Sequence, residues 1–140
     1  MTPERLVAGL DIGSSKTTAI IAEVVGELPR HPGIKVLAVD IAGSVFTEYF
    51  KTGGKATPHR TLVEGLGDEE VIGCPEWQRI DEMLQATDKD AFLAARELAK
   101  CEAIFAGGSS GAALWGVRLL AARLNAPVRI VTLFPDSGNR

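Results

Sequence analysis

Apolar and polar positions alternate between short continuous runs and helical spacing along this chain. Leu6 to Leu10 is an apolar run, and Thr17 to Val25 is a second, rich in β-branched residues. The polar, glycine-containing turn Asp11-Ile12-Gly13-Ser14-Ser15-Lys16 joins them, so this part predicts an antiparallel β-hairpin. Gly26 to Gly33, with Pro29 and Pro32, breaks regular structure. Ile34 to Val39 is another buried-strand pattern, ending at Asp40. From Ile41 to Arg60 the pattern weakens. Gly43, Gly53, Gly54 and Pro58 mark loops around the apolar patch Val45, Phe46, Tyr49 and Phe50, and connecting structure is expected rather than a mobile flap.

Val63-Glu64-Gly65-Leu66-Gly67 reads as a glycine loop, and a short helix is expected from Gln78 to Gln85. Thr87 followed by Asp90 approximates a capping box, with Asp in place of Glu. The helix it opens places Phe92, Ala95, Leu98 and Ala99 on one face and ends near Lys100. Ala103 to Ala106 reads as a short buried strand, Gly107-Gly108 as a turn, and Ser109 or Ser110 as the cap of a further helix. That helix carries Ala113, Val117, Leu120 and Leu124 at helical spacing, with Arg118 and Arg123 in its later turns. Val128 to Phe134 is the last expected strand. Continuous apolar strands alternating with amphipathic helices indicate an α/β fold, a mostly parallel sheet covered by helices, with the N-terminal hairpin added to it.

Composition narrows the class without naming a function. The 140 residues, 46% hydrophobic and 24% charged, fit one globular domain. A formal charge of −3 gives no electrostatic reason to expect nucleic acid or an anionic membrane as partner. No apolar run reaches the length of a membrane span and no signal-peptide pattern opens the chain, so a cytoplasmic protein is expected. Cys74 and Cys101 lack partners at ligand spacing, and no metal site is expected.

The stretch with most chemistry is Gly107-Gly108-Ser109-Ser110. Two glycines let backbone approach a ligand, and two serines present hydroxyls and N–H groups at a helix start. A small anionic or heteroaromatic ligand would suit it, although on the serines alone plain helix capping is the better explanation. Trp77 and Trp115 read as core or interface residues, and His31 and His59 as loop residues.

From about Ile34 to the C-terminus the chain resembles the fold-type II pyridoxal-phosphate enzymes, in particular cysteine synthase and cystathionine β-synthase. The resemblance rests on an ordered set: Lys35-Val36 through Asp40, Gly43-Ser44-Val45-Phe46, Val63-Glu64-Gly65-Leu66-Gly67, Asp88 through Leu98, Phe105 through Ala112, and Pro135-Asp136-Ser137. It implies pyridoxal phosphate as cofactor, with Gly107, Gly108, Ser109, Ser110 and Gly65 around it and the Ser109 hydroxyl at the pyridine nitrogen. A neutral hydroxyl there is expected to leave the ring unprotonated and to favour β-elimination and replacement. The family's asparagine loop and glycine-threonine phosphate cup find no match, and Ala103 and Cys74-Pro75 depart from its pattern.

Leu6 through Thr17, continuing to Val25, resembles the first phosphate loop of actin-like ATPases such as the bacterial cell-division ATPase. That resemblance implies ATP with magnesium, held by Asp11, Gly13, Ser14, Ser15 and Lys16. Gly13-Ser14-Ser15-Lys16 also resembles the segment bearing the Schiff-base lysine of the pyridoxal-phosphate family, which nominates Lys16 as catalytic anchor. The expectation is one domain, residues 1–33 and 34–140 joined as a chimera or partial domain, folded but without full catalytic machinery. A small active β-replacement enzyme using Lys16 and a phosphate-binding module are the alternatives. Sheet surface left uncovered by the shorter chain predicts a homo-oligomer, a dimer in the simplest case.

Overall fold

The computed structural model describes residues 6–11, 19–24, 34–73, 75–125 and 129–139, with side chains described from Lys35 onward except at Cys74 and Arg129. Five strands form one sheet in the order β4-β3-β2-β1-β5: β1 (Leu6–Asp11), β2 (Ala19–Val24), β3 (Ile34–Ile41), β4 (Glu82–Ala86) and β5 (Arg129–Ile130). β1 and β2 pair antiparallel, with Leu10 opposite Ile20, and β2 and β3 pair antiparallel, with Ile21 opposite Leu37. The outer pairs, β3 with β4 and β1 with β5, are parallel. The turn that joins β1 to β2 lies outside the described residues.

β3 organises the interior because every residue from Leu37 to Ile41 is buried. Successive side chains point to opposite faces. Leu37, Val39 and Ile41 join Leu84, Ala86, Ala91, Ala112 and Leu120 in one cluster. That face is covered by two helices packed on each other, α2 (Asp88–Glu102) and α3 (Gly108–Arg123), numbered after the shorter α1 (Phe46–Thr52). Ala38 faces the other way, into a smaller cluster with Val45, Phe46, Ile80 and Met83. Trp77 closes this cluster edge-on against Phe46 and Tyr49, at ring-centroid separations of 5.4 and 5.1 Å.

The capping box forms as expected. The Thr87 side chain accepts the Asp90 N–H, and the Asp90 carboxylate accepts the Thr87 N–H at 3.0 Å. α2 then buries Ala91, Ala94, Ala95 and Leu98, while Phe92 stays partly exposed. The small alanine face lets α3 come close: a Cβ at Gly111 would stand 2.0 Å from the Ala91 carbonyl oxygen. At the far end Arg118 pairs with Glu97, and Arg123 and Lys35 with Glu82.

Three local expectations change. Residues 78–85 are not a helix; a 3-10 turn at Trp77–Arg79 leads into β4, because Met83, Leu84 and Ala86 fill both faces beside β3. The patch at 45–50 is not loop but α1, closed by Gly53 in the left-handed region at φ 69°. Of the last expected strand, Arg129–Ile130 pairs with β1 and 131–134 is not strand, while Val128 lies outside the described residues.

Candidate functional site

The glycine-serine turn sits at the N-terminus of α3, where four backbone N–H groups lack helical partners. Gly107, with extended backbone, is the N-cap, so neither serine caps the helix by its own side chain. Ser109 and Ser110 lie in the first turn, both buried. Their donors converge on one carboxylate from the end of the chain. Asp136 accepts the Ser109 N–H at 3.2 Å on Oδ2 and the Ser110 N–H at 3.0 Å on Oδ1. The Ser110 hydroxyl also donates to Asp136 Oδ1.

Backbone pairing brings Asp136 there. Gly107 N–H donates to the Asp136 carbonyl at 3.3 Å, Gly138 N–H to the Phe105 carbonyl at 3.1 Å, and Ala106 bridges Ser137 antiparallel. The approach requires glycine at 107, where a Cβ would stand 2.2 Å from Asp136 Oδ2. Burial alone would raise the Asp136 pKa, but hydrogen bonds from the side chains and backbone of Ser110 and Ser109 outweigh it and hold the carboxyl below its ordinary range. The group is a fixed anion against the positive end of α3. The expected buried strand at 103–106 is replaced by this arrangement. Ala103 turns off the end of α2 at φ 57°, Phe105 is 62% exposed, and the pairing is a single bridge centred on Ala106.

The glycine loop lies beside the turn. Val63 is buried and meets Gly108 so closely that a Cβ there would be 3.2 Å from Val63 Cγ1 and Phe92 Cε1. On its other side Val63 lines a cavity of about 540 Å³ with Ser44, His59, Thr61, Gly65 and Asp68 among its walls. Gly65 is exposed at φ +75°, with open space where a Cβ would point, and Glu64 is exposed next to it. Val63 therefore touches both the cavity and the first residue of α3.

Behind the cavity lies a carboxylate that sequence reasoning placed only as the end of a strand. Asp40 is 1% exposed; its Oδ2 accepts the Thr47 N–H at 2.9 Å and hydroxyl at 2.6 Å, fastening α1 to β3, while Oδ1 has no partner. Burial raises its pKa, partly offset by the hydrogen bonds from Thr47. An acidic residue closing a wholly apolar run was the available signal. Asp136 gave less, because its partners are 26 residues or more away.

Gly13, Ser14, Ser15 and Lys16 lie outside the described residues, and Asp11 is placed only as the end of β1, opposite Ala19. The described lysines 51, 55, 89 and 100 are exposed, and Lys35 pairs with Glu82. Among the described residues no group of three or more His, Cys, Asp or Glu is placed to hold a metal, and no helix is long and apolar enough to cross a membrane.

A family model described as pyridoxal-phosphate dependent enzyme matches residues 7–136. Among curated relatives, the N-(2-amino-2-carboxyethyl)-L-glutamate synthase of Ralstonia nicotianae is 38% identical over 125 residues, 89% of this chain and 35% of that protein. The O-acetylserine dependent cystathionine beta-synthase of Bacillus subtilis is 35% identical over 128 residues, 91% of this chain and 39% of that protein. Among solved structures, the O-acetylserine dependent cystathionine beta-synthase from Helicobacter pylori superposes with a TM-score of 0.66 at 32% identity, covering 79% of this chain and 34% of its own. The chain thus spans about 35–39% of the length of these curated relatives. The match begins at residue 7 and runs through Asp11 to Lys16 without a break at 33, so the separate actin-like origin of residues 5–33 is not supported.

Proposed function

The chain belongs to the pyridoxal-phosphate dependent enzymes, and we propose that it is a partial relative of cysteine synthase and cystathionine β-synthase that keeps the ring-nitrogen wall without the full catalytic machinery. The observation that carries this reading is the anchored pair Ser109 and Ser110, held on Asp136 at the start of α3. The donor set fits the ring end of pyridoxal phosphate: a serine hydroxyl offers one proton and two lone pairs, which suits a pyridine nitrogen in either protonation state. Nothing among the described residues is assigned to the phosphate end.

Ser109 would hold the ring nitrogen, with Gly107, Gly108, Ser110 and Gly65 flanking it. When bound, the cofactor would supply the electron sink for β-replacement on a serine derivative. The chain's own contribution is orientation. α3 fixes Ser109, Asp136 fixes the first turn of α3, and burial of both serines keeps water from competing at the contact.

The test is to titrate the purified protein with pyridoxal phosphate, follow absorbance, reduce with borohydride and map modified lysines. A saturable, reversible spectral change without stoichiometric lysine modification is expected. Stoichiometric reduction at Lys16 alone would replace this reading with that of a small active β-replacement enzyme. The absence of saturable binding would remove the ring wall as a functional feature.

A further inference from the structure

Asp40 places an ionisable group where, among the described residues, nothing offsets its charge. The carboxyl sits near the end of β3 on the face of Ala38, away from α2 and α3, and is 1% exposed. Its Oδ2 accepts the Thr47 N–H at 2.9 Å and the Thr47 hydroxyl at 2.6 Å, while the buried Oδ1 has no partner. The charged groups on the surrounding elements are engaged elsewhere or face water. On α1, Glu48 and Lys51 are exposed. On the turn before β4, Arg79 pairs with Glu76 and Asp81 accepts the Val36 N–H. The β4 residue in register with Asp40 is the neutral Gln85, and β2 is in register with β3 as far as Val39. The cavity loop carries His59, Arg60, Glu64, Asp68 and Glu69. No charged side chain offsets the burial of Asp40.

Ionising a carboxyl at that depth costs free energy that the two Thr47 bonds only partly return, so docked α1 favours the neutral acid. Moving α1 off β3 would return the carboxyl to water, where it ionises at neutral pH. Docking of α1 and protonation of Asp40 are therefore linked. The link reaches the cavity through Ser44, which lines it. The Ser44 hydroxyl accepts the Phe46 N–H at 3.2 Å and the Asp68 N–H at 3.1 Å, and the Val45 N–H donates to the Asp68 carbonyl at 3.0 Å. We propose that Asp40 is a pH-sensitive latch: its neutral form holds α1 on β3, and its ionisation frees the first turn of α1 together with the cavity wall at 43–45. The latch does not depend on a ligand at Ser109.

The test follows amide hydrogen exchange of the full chain by nuclear magnetic resonance from acid to neutral pH, corrected for the intrinsic pH dependence of exchange. The Thr47 N–H reports its bond to Asp40, and the Tyr49 N–H, bonded to the Val45 carbonyl, reports α1. The Ala91 N–H, bonded to the Thr87 carbonyl at the start of α2, is the reference. Protection at Thr47 and Tyr49 is expected to fall about tenfold per pH unit above 3.8, and to level off once Asp40 is ionised in the docked state too. Both amides should be less protected than Ala91 and less sensitive to low concentrations of urea, as a local opening requires. Asp40→Asn should flatten the pH profile. Thr47→Val, which removes a hydroxyl that favours the ionised form, should move the levelling point to higher pH, and it keeps the latch falsifiable if Asp40→Asn does not fold. A flat profile in the parent, a slope that survives in Asp40→Asn, or an unmoved levelling point in Thr47→Val overturns the latch. Equal protection and urea sensitivity at Thr47, Tyr49 and Ala91 also overturns it, leaving Asp40 a contributor to global stability alone.

Discussion

The Asp136 carboxylate accepts the Ser110 backbone N–H at 3.0 Å across 26 residues of sequence. With the neighbouring bond to Ser109, it ties the end of the chain to the first turn of the helix that carries the candidate site. Two backbone donors and a buried hydroxyl depend on it, so Asp136→Ala is expected to destabilise the fold by about 2 kcal/mol, measured by chemical denaturation. Asp136→Asn, which keeps one acceptor oxygen, should lose less.

The same carboxyl titrates below its ordinary value of 3.8 in the folded state. A lowered folded pKa means that its contribution is present above the unfolded value and disappears as pH falls through the folded one. Melting temperature in acid should therefore drop less steeply with pH in Asp136→Asn than in the parent, below about pH 4. Identical acid profiles would show that Asp136 titrates alike in both states.

Asp40 behaves with the opposite sign. Burial raises its folded pKa, so its stabilising contribution is complete below 3.8 and is lost as pH rises through the raised value. Asp40→Asn preserves an acceptor for the Thr47 N–H and hydroxyl while removing the buried charge, and should cost less than about 1 kcal/mol at neutral pH. Asp40→Ala strands both Thr47 donors and should cost about 2 kcal/mol, with α1 losing its attachment first in hydrogen exchange.

Val63 lines the cavity of about 540 Å³ and packs close to Gly108. Val63→Ala should lower stability by about 2 kcal/mol through lost burial and residual space. It should also tighten binding of pyridoxine 5′-phosphate in fluorescence titration, because the cavity that Val63 lines is enlarged. Weaker binding would place the ring elsewhere.

Gly111 marks the crossing of α2 and α3, and a methyl group there has no room beside the Ala91 carbonyl. Gly111→Ala should force the helices apart at a cost of about 3 kcal/mol, visible as a lowered unfolding midpoint.

Self-association is expected from the exposed apolar side chains Leu62, Leu93, Ile104 and Phe105. Analytical ultracentrifugation should show a dimer in equilibrium with monomer. Monomer alone at high concentration would remove the expectation.

Amino-acid order alone was enough wherever the partners are near neighbours. The Thr87–Asp90 box, the apolar run of β3, the helix after Gly108 and the glycine loop at 63–67 all follow from spacing over a few residues. The ordered motifs from Lys35 to Ser137 likewise pointed to the pyridoxal-phosphate enzymes, whose family model takes in the N-terminal strands as well. Tertiary structure decided the rest. Met83, Leu84 and Ala86 suit a helix or a strand by pattern, and only the open edge of β3 makes them a strand. Ile104 and Phe105 are apolar enough for a core strand, yet they lie at the surface, where the pairing is one bridge centred on Ala106. Ser109 and Ser110 look like ordinary caps until Asp136 arrives from the far end of the chain. Local hydrogen bonds are set by how residues are spaced, whereas a contact across 26 residues exists only once the sheet and helices have brought its two ends together.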